Sequence, residues 1–246
     1  MSKVRILDRR RRADLLLGLG VLSVLAVLVT SVSGQNPELQ QKVADLKQGM
    51  AQNQQLLSRY TWMEQDVISI NGEQKKEELF NVQLGPDGKP QKTPVDPNSV
   101  SDSDRQRRGL RGRIVEKKTE EYTDYAQSIK TLVQQYVPPN QQLIEQARQQ
   151  GNIMLGPAGG AAGQYRLVIS NYVKQGDNMT LVIDKAQGGL SSLSISTYLS
   201  DPSDAVNVSV QFSRLPGGPN HVATETINGV SKKLTINVQN SNYQRM

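Results

Sequence analysis

The chain has 246 residues, with 29 Lys and Arg against 23 Asp and Glu, a formal charge of +6, one His and no Cys. Without cysteine there is no disulfide framework, thiolate metal site or cysteine nucleophile, and a single histidine excludes multi-histidine metal centres. Aromatic residues make up only 4%, too few for a stacking surface on single-stranded nucleic acid, so no nucleic-acid partner is expected.

Lys3, Arg5 and Arg9 to Arg12 open the chain, and Leu15 to Val29 is an apolar run interrupted only by Gly18, Gly20 and Ser23. Small residues follow from Thr30 to Gly34, with Val32 the exception. Basic, then apolar, then small is the order of a secretory signal peptide, with cleavage after Ser33 or Gly34. The alternative is an uncleaved anchor, because residues 15–32 reach the lower length limit for spanning a bilayer. On either reading residues 35–246 are exported, to the periplasm or to its side of the inner membrane. Most of the +6 charge sits in this segment and so reflects targeting rather than a binding surface.

Asn36-Pro37-Glu38 reads as a helix start, and Leu39, Val43, Leu46, Met50, Leu57 and Tyr60 form one apolar stripe, predicting a helix over 37–60. Strands are predicted over 61–95. Trp62 to Ile70 is closed by the hairpin signal Asn71-Gly72, Glu73 to Leu84 returns, and Gly85-Pro86-Asp87-Gly88 leads to a third strand over 89–95. Residues 96–113 read as a loop that collects Arg105, Arg107, Arg108, Arg111 and Arg113. Guanidinium forks match phosphate oxygens, so this loop is a candidate anion site; the alternative is a solvated charge run.

Helices are predicted over 114–150, the first carrying Val115, Tyr122, Ala126, Ile129, Val133 and Tyr136 on one face, with a break at Pro138-Pro139. Gly151 to Gln164 reads as a flexible connection. Gly156 to Gly163 lacks the Lys and the strand-to-helix context of a phosphate loop. Residues 165–240 alternate apolar and polar in five runs, with turn signals at Gly188-Gly189, Asp201-Pro202, Pro216-Gly217-Gly218 and Asn228-Gly229: an antiparallel meander. The fold class is therefore α+β, with an apolar sheet face that only the helices can cover.

No catalytic set is visible. His221, at a strand start, has no motif supplying a nucleophile and an orienting acid, and reads as structural. Glu64 and Asp66 share one strand face and could do acid–base chemistry, but read as a solvated face. The protein is expected to be no enzyme and to carry no cofactor. Trp62, Phe80 and Phe212 either line a lipid-sized cavity or belong to the core; the pattern is the same for both.

Tyr60 to Glu64, the Asn71-Gly72 hairpin, Gly85 to Lys89, Tyr172 to Asp177, Tyr198 to Pro202 and Asn240 to Tyr243 together resemble an uncharacterised family of exported bacterial proteins. The order of helix, hairpins and late meander also resembles the periplasmic outer-membrane lipoprotein carrier (LolA-like) fold. That resemblance implies a curved antiparallel sheet, an incomplete barrel closed by helices, with acyl chains in an apolar cavity. It implies a periplasmic binding or carrier protein for a lipid or lipoprotein; on that reading the arginine loop, a candidate anion site from its own residues, would meet an anionic head group. The alternative is a protein–protein interaction module of the cell envelope without a small ligand.

Overall fold

Period-two alternation organises the molecule. The structure, a computed structural model, describes residues 52–95, 110–137, 140–159, 163–184 and 189–246. Residues 52–57 are helical. Three strands follow: β1 (Tyr60–Ile70), β2 (Glu73–Leu84) and β3 (Pro90–Pro94). Two helices, α1 (Leu110–Val133) and α2 (Gln141–Gln149), precede the remaining strands. These are β4 (Ile153–Pro157), β5 (Gln164–Ser170), β6 (Asn178–Asp184), β7 (Gly189–Tyr198), β8 (Ala205–Arg214), β9 (Asn220–Gly229) and β10 (Leu234–Arg245).

All ten strands form one sheet in the order β3-β2-β1-β10-β9-β8-β7-β6-β5-β4. The sheet is antiparallel throughout and open, with β3 and β4 as its edges. The amino-terminal hairpins join it through β1, which pairs with the last strand from Tyr60↔Arg245 to Ile70↔Leu234. Asn71 and Gly72 have φ of 53° and 80°, the paired positive values that a two-residue primed hairpin turn requires.

One sheet face is buried and the other wet. Val206, Val208 and Val210 of β8 are buried, whereas the alternating Asn207, Ser209 and Gln211 are exposed. Helix α1 supplies Tyr125, Ala126, Ile129, Leu132 and Val133 to the buried side, and Tyr136 follows in the turn after it. Ile144 and Ala147 of α2 join the same core, with Leu167 through Val238 of the meander. The α+β architecture is the one expected.

Several boundaries differ from the sequence reading. Tyr60 opens β1 instead of ending the helix, because its backbone is held by Arg245 of β10. Leu110 to Arg113 belong to α1, so Arg111 and Arg113 stand in its first turn rather than in a loop. The connection after α2 contains β4, where Ile153 to Pro157 pair with β5; at an edge, Gly156 and Pro157 cost no second ladder. Among the described residues no helix is long and apolar enough to cross a membrane. Residues 15–32, the predicted signal or anchor, lie outside the described residues, as does most of the helix expected over 37–60.

Asn228-Gly229 is not a turn. Both residues lie in β9, and the chain reverses over residues 230–233. A Cβ on Gly229 would fall 2.6 Å from Tyr125 Cε1 and 2.7 Å from Ile129 Cδ1, so the glycine makes room for side chains of α1 against the sheet. Gly229→Val is expected to destabilise the fold by about 2–3 kcal/mol through overpacking. A lower urea midpoint at unchanged slope measures it; an unchanged midpoint would show that the helix yields freely.

Candidate functional site

The buried face of the sheet is not uniformly apolar. Its β5-to-β10 part carries the helix-packed core. Its β1–β2 part carries a second, smaller cluster of Leu57, Trp62, Phe80, Val82 and Leu84, with Tyr243 packed against it. Leu57 arrives from the helical residues 52–57. Asn53 anchors that segment to β9, donating to the Asn220 carbonyl at 2.8 Å and accepting from the Asn220 amide at 2.5 Å. The Trp62 and Tyr243 rings stack at 5.5 Å, and His221 leans on Tyr243 at 4.2 Å.

Ionisable side chains lie beside this aromatic cluster. Strand parity sets them there: Trp62, Glu64 and Asp66 all point to the buried face of β1. Glu64 faces Phe80 across β2 and Asn240 across β10, while Asp66 faces Val238, which in turn faces Glu225 of β9. Glu64, Asp66 and Glu225 are each no more than 5% exposed. Lys92 reaches in from edge strand β3. Its ammonium pairs with Glu64, lies 3.3 Å from Asp66 Oδ2, and sits 5.4 Å from the centroid of the Phe80 ring.

Three acids and one base at this depth do not balance. Burial pushes the Glu225 carboxyl up to about 8; Glu64 and Asp66 add to the rise and Lys92 opposes it. Burial likewise raises Glu64 to about 7, against the pull of Lys92. The Tyr243 hydroxyl is driven up by burial and by the nearby Glu64. His221 is pushed down by burial, so its imidazole is held neutral. Among the described residues, several polar atoms in the strip have no hydrogen-bond partner: Trp62 Nε1, Asp66 Oδ1, Glu225 Oε1 and Asn240 Oδ1. Asn240 is oriented by donating through Nδ2 to the Val222 carbonyl at 3.0 Å.

The predicted site residues fare differently. Trp62 and Phe80 belong to one cluster, but Phe212 is half-buried against the helix-packed core, so the three do not line one space. Glu64 and Asp66 do share a face, but it is the buried one, each being 5% exposed, which corrects the solvated reading. Arg105, Arg107 and Arg108 lie outside the described residues. Lys92, Glu225 and Asn240 were missed. Parity does mark Glu225, which alternates with Ile227 and Gly229 on the buried side of β9; a lone acid at such a position was the available signal. Among the described residues no three His, Asp or Glu groups are arranged to hold a metal ion.

No protein-family model matches the chain. No curated protein matches it either. Solved structures similar to it include the following three. A DUF1329 family protein from Desulfovibrio piger aligns at TM-score 0.41 and 10% identity, over 82% of this chain and 92% of that one. A putative outer membrane lipoprotein-sorting protein domain from Vibrio parahaemolyticus aligns at TM-score 0.36 and 8% identity, over 80% and 90%. A LolA superfamily protein from Nitrosomonas europaea aligns at TM-score 0.33 and 9% identity, over 82% and 93%.

Proposed function

We propose that residues 35–246 form a non-enzymatic binding or carrier protein for a lipid or lipoprotein, exported by the signal or anchor in residues 1–34. The observation that carries this reading is the division of the buried sheet face. One part is filled by α1 and α2. The other keeps a separate aromatic cluster around Trp62 and Phe80, bordered by buried charge. Apolar and ionisable surfaces side by side match an amphiphile, whose chain needs the first and whose head group needs the second. Phe212 is set apart from this arrangement. The arginines from Arg105 to Arg113 are the proposed contact for an anionic head group.

The test is extraction of the gently purified exported protein and mass spectrometry of what it carries. A stoichiometric acyl lipid is the expected result. Protein that emerges lipid-free, and that also fails to take up a fluorescent fatty acid, would sink the reading.

A second reading, an envelope interaction module, is favoured by edge strand β4. Among the described residues its outer edge has no strand partner, and Met154 and Leu155 on it are 70% and 43% exposed. A photo-crosslinker at Met154 that captures one envelope protein, in a preparation free of lipid, would favour it.

A further inference from the structure

We propose that the polar strip between β1, β9 and β10 binds a primary ammonium group of the ligand, taken up by Glu225, Asp66 and Asn240 beside the protein's own Lys92. The inference rests on the reading of this face as a ligand site and assigns the head-group chemistry.

The unpartnered atoms decide the chemistry. Asp66 Oδ1, Glu225 Oε1 and Asn240 Oδ1 are all acceptors and all buried. Asn240 cannot turn its amide inward without losing its bond to Val222. A set of acceptors with no donor facing it calls for a group rich in donors, and a primary ammonium has three N–H groups, no acceptor and a charge that an ionised Glu225 would balance. The protein itself supplies the precedent: the alkylammonium of Lys92 already sits among Glu64, Asp66 and the face of Phe80. Lys92 pairs with the β1 acids and acts on Glu225 only at a distance, from the far side of Val238, so Glu225 has no ion pair among the described residues. The other ionisable groups nearby do not supply one. Glu78 on β2 is engaged by Lys76, His221 is neutral, and Tyr243 is a held phenol.

A second, independent atom refines the ligand. Trp62 Nε1 is a buried donor without an acceptor, on the same strand face two residues from Glu64. An ammonium group with an oxygen acceptor a few atoms away satisfies both kinds of orphan. Aminoalkyl phosphate or ester head groups have that shape, as do free amino alcohols. A hard divalent cation does not fit, since it would need several oxygens converging within bonding distance.

The test is calorimetric titration of the full exported chain at pH 7 with three probes: ethanolamine, lysophosphatidylethanolamine and lysophosphatidylglycerol of the same acyl length. The ethanolamine lysolipid is expected to bind at least ~10-fold more tightly than the glycerol one, the scale of one charge-assisted hydrogen bond. Because Glu225 is protonated at pH 7 in the free protein and must ionise to hold the cation, binding is expected to release close to one proton. Comparing heats in phosphate and Tris buffers measures this on the unaltered chain. Glu225→Gln, an uncharged isostere, should abolish both the preference and the proton release. Equal binding of the two lysolipids without proton release overturns the ammonium site and leaves lipid binding standing. Ethanolamine bound with neither lysolipid bound supports the ammonium site for a free amine and overturns lipid binding. No binding of any probe overturns both.

Discussion

Asp177→Ala is expected to cost on the order of 3–5 kcal/mol of stability, the largest effect of any single truncation outside the hydrophobic core. Asp177 is 1% exposed in the turn between β5 and β6. Its carboxylate accepts from the backbone amides of Tyr172 at 2.5 Å, Val173 at 2.9 Å and Lys174 at 2.8 Å. It also accepts from the Tyr136 hydroxyl at 2.6 Å, and that hydroxyl lies 2.7 Å from Thr197 Oγ1 on β7. Burial, together with donation to Asp177, raises the Tyr136 hydroxyl far above its ordinary range and keeps it a donor. One side chain therefore closes a turn and fastens the end of the α1 segment to the sheet. Alanine removes the acceptor of three backbone amides, that of Tyr172 buried and those of Val173 and Lys174 part-buried, and leaves the Tyr136 hydroxyl with Thr197 alone. Tyr136→Phe removes one of those bonds and should cost about 1–2 kcal/mol. Urea unfolding of both variants checks the order. A loss below that of Tyr136→Phe would show that water replaces the carboxylate, and the account of the turn would fail.

Stability is expected to fall as the pH rises from about 5 to 8, and Glu225→Gln should remove most of that slope. Burial raises Glu225 to about 8 in the folded chain, from an ordinary value of 4.5. Between these values the folded state holds a proton that the unfolded state has released, so raising the pH disfavours folding. The contribution is fully present below the unfolded value and is lost as the pH passes the folded one. Glu64, raised to about 7, acts in the same direction over a narrower window. The loss is on the order of a few kcal/mol by the usual conversion of pKa shifts. Glutamine keeps the shape of the neutral acid and cannot ionise. At pH 5 the variant should match the parent, and at pH 9 it should melt several degrees higher. Parallel melting curves for the two chains across this range would remove the claim that Glu225 is buried without a counter-charge.

Much of this was legible in the chain itself. The alternation of Val206, Val208 and Val210 with Asn207, Ser209 and Gln211 fixes which side of β8 faces inward, because side-chain direction reverses at each residue of an extended backbone. Asn71-Gly72 forces a tight hairpin for an equally local reason, since few residues tolerate two successive positive φ angles. Asn228-Gly229 shows the limit of such signals. The same dipeptide lies inside β9, because the missing side chain is needed for the approach of α1 rather than for a turn. No local pattern distinguishes the two uses.

The strip of buried charge marks a sharper division. Parity alone places Glu64 and Asp66 on one face of β1, and Glu225 on the corresponding face of β9. It does not say that β10 lies between them, nor that Lys92 comes in from the far edge of the sheet. Those neighbours are set by pairings such as Tyr60↔Arg245, which join residues at opposite ends of the described chain. By itself the sequence determined the α+β class, most of the strands and the residues that share a face of each, all of which follow from short-range backbone geometry and composition. Only the tertiary structure decided which acids share a space and which lack a counter-ion. Burial and Coulomb coupling depend on distances across the sheet, and those distances have no signature along the chain.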